Sequence, residues 1–212
     1  DNYSGPVTLT YNVVDGLGGV VPTQRSFTVL QKGIAQDGYV AKALVWIDSN
    51  ADGLWTHESF TDKNNNQQVE AGEYVDANNN GVFDAESWDI TDASGNFEGL
   101  SGSGNLKIEA WLYNANGVVP TIDLSTGKTF SGSLTAPGGS SVINPLTTLV
   151  QSAMASGKTE AQAQSLVRTA LGVSEGVDLL SFDPVAQAQS SGQASEALKV
   201  QKAALQVANL MQ

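Results

Sequence analysis

Asp48-x-Asn50-x-Asp52-Gly53, Asp62-x-Asn64-x-Asn66 and Asp76-x-Asn78-x-Asn80-Gly81 place side-chain oxygens at every second residue, in three tandem strings. Each string is followed by a glutamate ten or eleven residues beyond its first aspartate, at Glu58, Glu73 and Glu86. Such alternation makes successive oxygens converge inside a short loop. A glycine in sixth place permits the sharp turn, and a late acid adds a bidentate ligand. An all-oxygen donor set of carboxylates and amides suits calcium, a hard cation that takes roughly six to eight oxygen ligands.

The first loop offers Asp48, Asn50, Asp52, the position-seven residue Leu54 and Glu58. The second offers Asp62, Asn64, Asn66, Gln68, Glu70 and Glu73, and is the weaker because Gln67 stands where glycine is preferred. The third offers Asp76, Asn78, Asn80, Val82, Asp84 and Glu86, with Asp89 at the end of the string. About three calcium ions or more are expected. Loops one and three are the better candidates for an open coordination site, because the second has spare acids. Asn and Asp also favour metal-free turns, but three copies in one register point to a cation. The D-x-N-x-N-G-x-x-D form is complete from Asp76 to Asp84, whereas Thr56 takes the ninth place of the first loop.

Charge agrees with this reading. The chain has 22 acids and 10 bases, and twelve of the acids lie between Asp48 and Glu98 with Lys63 as the one base among them. That density would repel itself unless cations neutralised it. Aromatic residues recur with a period of 14 at Trp46, Phe60, Tyr74 and Trp88, and apolar residues occupy the eighth loop position at Trp55, Val69 and Phe83. The spacing predicts packing between successive loops.

Other chemistries are poorly supplied. There is no cysteine, and His57 is the single histidine, so zinc sites and Cys–His catalysis are excluded. The acid pairs that could serve a glycosidase are accounted for as calcium ligands, and the chain is read as a non-enzyme. Ser125-Thr126-Gly127-Lys128-Thr129 resembles the tail of a phosphate-binding loop, but Ile122 stands where its first glycine belongs. A sequence pI of about 4.2 argues against nucleic acid and anionic membrane as partners. Candidate ligand contacts are the aromatics Trp55, Trp111 and Tyr113 and the cation Lys128.

The elements that must hold these residues read as α+β, mainly β. Residues 1–31 alternate as two strands about an Asp15-Gly16 turn. Residues 32–143 are predicted to form a β-sandwich, with strands at 39–47, 87–91, 96–100, 105–113, 117–122 and 129–135, decorated by the calcium loops at 48–89. The stretch Thr91 to Phe97 is a hairpin signal. Residues 144–212 switch to helical period and form a small helical bundle packed on the sandwich. Asn144 caps the first helix with Pro145 in its first turn, Thr159 caps the second, Gly172 ends it, and Asp183-Pro184 begins the third. The last helix, 193–211, is predicted to bury Leu198, Leu205, Ala208 and Met211. The opening residues read as mid-domain sequence, so flanking domains of a longer chain are expected.

Three motifs carry a family resemblance. Tyr11, Val13, Asp15, Gly16, Gly18 and Gly19 match the closing hairpin of cadherin-like or Ig-like repeats of giant bacterial adhesins. The loop string resembles those of extracellular bacterial proteins and of thrombospondin type 3 repeats. Together with the helix start Ile143-Asn144-Pro145-Leu146-Thr147-Thr148-Leu149-Val150, the chain resembles the calcium-dependent peptide-binding domains of giant bacterial RTX adhesins. The resemblance implies a bacterial cell-surface module with no nucleic-acid partner and no direct membrane insertion. Such a module captures peptide or protein ligands, by a C-terminal carboxylate, on host or neighbouring cells and in biofilms. A calcium-dependent carbohydrate-binding module and a calcium-rigidified spacer are the alternatives.

Overall fold

The computed structural model describes residues 5–65, 70, 72–77, 79, 81–83, 85–110, 120–190 and 192–211. Twelve strands and four helices are assigned among them, so the chain is α+β and mainly β. No helix among the described residues is long and apolar enough to cross a membrane.

Strands β1 (Gly5–Val14) and β2 (Val20–Val29) form a ten-residue antiparallel ladder from Gly5↔Val29 to Val14↔Val20. The Asp15 carboxylate closes the turn, accepting from the Leu17 and Gly19 amides at 2.7 and 2.9 Å. Those two bonds hold the Asp15 carboxyl below its usual pKa. Among the described residues β1 and β2 pair only with each other. Leu9, Tyr11, Val13, Val21 and Phe27 alternate onto one face of this ribbon and remain exposed.

The main core joins two sheets. One has the order β11-β8-β5-β6, from Ser133–Ala136, Asn105–Ala110, Ala43–Asp48 and Trp88–Ile90. The other has the order β12-β3-β7, from Val142–Ile143, Gln31–Ala35 and Asn96–Leu100. A third sheet, β10-β9-β4, is made of the short pieces Lys128–Thr129, Ile122–Asp123 and Val40–Ala41. Val45 and Ile47 of β5, Leu106 and Ile108 of β8, Phe97 and Leu100 of β7 and Ile143 of β12 share one buried cluster. Leu106 and Ile108 therefore mark the core face of β8, and the alternate residues Lys107 and Glu109 turn away from it. The predicted continuation of this strand to residue 113 lies outside the described residues.

The Thr91–Phe97 hairpin needs a correction. Its turn forms as expected, with the Asp92 carboxylate accepting from the Ser94 and Asn96 amides. Its two arms, however, join different sheets, β6 the four-stranded one and β7 the three-stranded one. The turn carries the chain from one sheet to the other instead of continuing a ladder.

Helices α1 (Pro145–Ala155), α2 (Glu160–Leu171), α3 (Pro184–Gln187) and α4 (Ala194–Met211) begin where capping chemistry places them. Asn144 Oδ1 accepts from the Leu146 and Thr147 amides at 2.9 Å each, and the Thr147 hydroxyl oxygen accepts from the Asn144 amide. The same hydroxyl donates to Thr135 O of β11, which ties the helix start to the sheet. Asn144→Ala is expected to cost about 1–2 kcal/mol, read as a lower urea midpoint at unchanged m, because the cap is buried. Gly172 ends α2 in the left-handed region at φ 68°. Tyr39 donates to Asp183 at the N-cap of α3 at 3.0 Å, and burial together with this carboxylate raises its pKa to about 12.

The buried face of α4 differs from the expected one. Val200, Ala203, Ala204 and Val207 face the helical core and Ala208 is buried as expected, while Leu198 is 69% exposed and Leu205 also points to solvent; the Met211 side chain lies outside what the structure describes. The helix is rotated by about one residue, roughly 100°. Small side chains on the inner face allow α4 to approach the other helices closely. That gain in contact outweighs burial of the two leucines.

Candidate metal centre

The three loops share a backbone conformation that the spacing alone does not reveal. The fourth residue of each is a non-glycine in the left-handed region: Ala51 at φ 59°, Asn65 at 58° and Asn79 at 58°. Gly53 and Gly81, the sixth residues of loops one and three, follow at φ 78° and 80°. A left-handed non-glycine residue is uncommon, least so for Asn, and its recurrence at one loop position marks three copies of a single turn. Asn50 and Asp52 hold the first loop through the Asp52 and Leu54 amides. Asp76 accepts from the Gly81 amide at 2.8 Å in the third. Leu54 and Val82 have exposed aliphatic side chains without donor atoms, so their backbone carbonyls are their possible ligands. Asn66, Gln68, Asn78, Asn80 and Asp84, also predicted ligands, lie outside the described residues.

The loops do not stack as successive units. Trp46 of β5 pairs with Trp88 of β6, and Phe60 forms an antiparallel bridge with Tyr74. The aromatics therefore meet as nested pairs, first with fourth and second with third, and the string folds back on itself. The expected contact between successive units holds at Phe60 and Tyr74, whereas Trp46 and Trp88 join the first aromatic to the fourth. Trp55 packs on His57 and Trp88, with centroids 5.4 and 5.6 Å away. Phe83 lies 5.8 Å from Phe60 and 5.6 Å from Tyr74. These eighth-position aromatics anchor loops one and three as expected. The ammonium of Lys107 sits 5.5 Å from the Trp46 ring and donates to Gly53 O.

The fold-back also moves the closing acids. Glu73 serves its own loop, accepting from the Lys63 amide at 3.0 Å. Glu58 instead accepts from the Ala77 amide, just after the first aspartate of loop three, at 2.9 Å. Glu86 accepts from the Ser49 and Thr56 amides of loop one at 2.9 and 3.0 Å. All three glutamates are buried. Glu58 and Glu86 thus each accept from amides of the other loop, Glu58 in loop three and Glu86 in loop one.

Asp48, Glu73 and Glu86 face no ammonium or guanidinium at ion-pair distance among the described residues. Asp48 is only 7% exposed and its Oδ1 has no hydrogen-bond partner; Glu73, at 8%, has Oε2 in the same condition. Burying an uncompensated carboxylate is costly, so these oxygens suit a bound cation. Among the described residues no three acidic or imidazole side chains form a preformed metal cluster. The fit therefore rests on carboxylates combined with amide and backbone oxygens, as calcium loops use. Asn64 donates to Glu70 at 2.9 Å in loop two, and the Lys63 ammonium donates to Gly72 O there.

Burial pushes the Glu86 carboxyl above its ordinary 4.5, with Asp48 and Asp52 adding to the rise and the Thr56 and Ser49 amides opposing it. A raised carboxyl favours the protonated folded state. Its stabilisation is full below 4.5 and is lost as pH rises through the raised value. Calcium-free protein is therefore expected to lose melting temperature as pH rises from 4.5 towards neutrality, and Glu86→Gln should flatten that slope. Asp15 and Asp92, held below 3.8 by amide and Asn96 bonds, act only in more acid solution.

Several predicted residues lie elsewhere. Asp89 is on strand β6, accepts from the Glu98 amide at 2.9 Å and lines a cavity of ≈ 770 Å³ with Lys32, Asp92, Asn96 and Asp183. Asp62 sits at the start of loop two, half-buried. Lys128 is exposed on β10 at a groove of ≈ 560 Å³ lined by Asp37, Asp123, Phe130, Pro145 and Asn209, with no loop residue among its described lining. The structure thus does not join Lys128 to the loops as a carboxylate clamp. Trp111 and Tyr113 lie outside the described residues. No match was found in comparisons with protein-family models, with curated proteins or with solved structures.

Proposed function

We propose that this chain is a calcium-dependent ligand-binding module of a bacterial surface adhesin, built on a β-sandwich and capturing peptides of surface proteins by their C-terminal carboxylates. The observation that carries the calcium half is Asp48, buried to 7% exposure with an unbonded carboxylate oxygen beside a loop of calcium spacing. The peptide ligand is carried over from the resemblance of the loop string, the Asp15-Gly16 hairpin and the Asn144 helix start. Bound calcium would supply the positive charge and an open coordination position for a carboxylate. The protein's own part is to fix the loops through the aromatic pairs and to hold the closing glutamates in place.

The test is a binding titration in millimolar calcium and again in chelator, against peptides that differ only in a free or amidated C-terminus. Binding that needs both calcium and the free carboxylate is the expected result. Equal binding of the amidated peptide would overturn the carboxylate reading. One observation favours carbohydrate as a second reading: Trp88 is 39% exposed beside Trp55 and His57 at loop one, a ring platform next to a candidate cation. Binding of glycans in calcium, with no peptide bound, would select it.

A further inference from the structure

The fold-back of the loop string has a consequence for ligand assignment, and it rests on the calcium reading above. Each closing carboxylate is fixed by the amide that follows the first aspartate of a loop. For Glu73 that aspartate is Asp62 of the same unit; for Glu58 it is Asp76, and for Glu86 it is Asp48. The antiparallel neighbours explain the exchange. Phe60↔Tyr74 and the bond from the Val75 amide to Ser59 O bring residue 58 beside the start of loop three. Trp46↔Trp88 and the bond from the Ile47 amide to Ser87 O bring residue 86 beside the start of loop one.

Loop one also needs what Glu86 provides. Its ninth position, where loop three carries Asp84, is Thr56. The Thr56 amide donates to Glu86 Oε2 at 3.0 Å and the Glu86 amide donates to Thr56 O at 3.0 Å, so the acid missing in sequence is replaced in space. Beside it lies Asp48, more than nine-tenths buried, with Oδ1 unpartnered.

We infer that loops one and three exchange their closing ligands: Glu86 completes a divalent-cation site begun by Asp48, Asn50 and Asp52, and Glu58 completes one begun by Asp76. The two sites are then halves of one unit. Neither loop binds at full strength without the other, and occupation of one orders a ligand carried beside the other. Coupling of this kind is reciprocal in free energy.

The experiment is a calcium titration of the whole, calcium-stripped chain followed by amide NMR. Gly53 and Gly81, sixth residues of loops one and three, report on each loop separately. Glu86→Gln is expected to weaken the Gly53 transition by about tenfold or more, with a smaller effect at Gly81. Glu58→Gln should do the reverse. The exposed Asp52→Asn guards against misfolding of the buried variants. It should act at Gly53, and combined with Glu86→Gln it should fall short of the sum of the two by more than it does when combined with Glu58→Gln. Greater weakening of Gly53 by Glu58→Gln than by Glu86→Gln, with the reverse order at Gly81, would overturn the exchange and leave the calcium reading intact. Glycine resonances that ignore calcium in the unmutated chain would remove both.

Discussion

Chelation of calcium is expected to lower the melting temperature by about 10–30 °C, and added calcium to restore it. Modules of this kind often bind with Kd of ~10⁻⁴–10⁻³ M. At ten to a hundred times Kd each site adds about 1.4–2.7 kcal/mol by mass action, so three sites would give about 4–8 kcal/mol. For a chain of 212 residues, each kcal/mol moves the melting temperature by roughly 2–4 °C. The physical source is the net charge of −11 carried by residues 48–98, with Asp48, Glu58, Glu73 and Glu86 among its buried members. Without a cation, burial of those carboxylates opposes folding; with one, the same burial strengthens the attraction. Scanning calorimetry in calcium, in chelator, and in chelator followed by excess calcium makes the measurement. Identical curves would end the metal assignment.

The second large effect separates residues that the repeat makes equivalent. Trp46→Ala is expected to destabilise the chain by about 3–5 kcal/mol, the range for removing a large aromatic from a packed core. Trp46 is 0% exposed, lies in the centre of the four-stranded sheet beside Trp88, and has the Lys107 ammonium over its ring. Phe60→Ala, at the matching position one repeat later, should cost about 1 kcal/mol, because Phe60 is 42% exposed and touches mainly Tyr74 and Phe83. Urea unfolding of the two variants in saturating calcium gives the comparison. Similar losses would mean that the repeat packs as equivalent units, contrary to the nested pairing.

Features that depend on a few consecutive residues were legible before any fold was known. The loop spacing, the Asp15-Gly16 turn, the Asp92 turn, the Asn144 and Thr159 caps and the Gly172 helix end are all built from bonds spanning two to five residues. Their chemistry is local, so composition and spacing determine them. Partner choice between distant residues is another matter. A period of 14 is equally compatible with stacked loops and with a string folded back on itself, because both set the aromatic of each unit beside that of another. Only the sheet, in which β5 lies between β6 and β8, decides that Trp46 meets Trp88 and so carries Glu86 to loop one.

The last helix teaches the same lesson at smaller scale. Two apolar stripes run along residues 194–210, and leucine is the more hydrophobic side chain. The stripe of Ala197, Val200, Ala204 and Val207 is nevertheless the one buried. Hydropathy ranks residues by transfer from water, but it does not know how close the neighbouring helices must come. The chain by itself determined which oxygens could hold a cation and where each helix and turn begins. Tertiary structure decided which backbone amides each glutamate accepts from and which face of α4 is inside, because those choices depend on close packing between segments far apart in sequence.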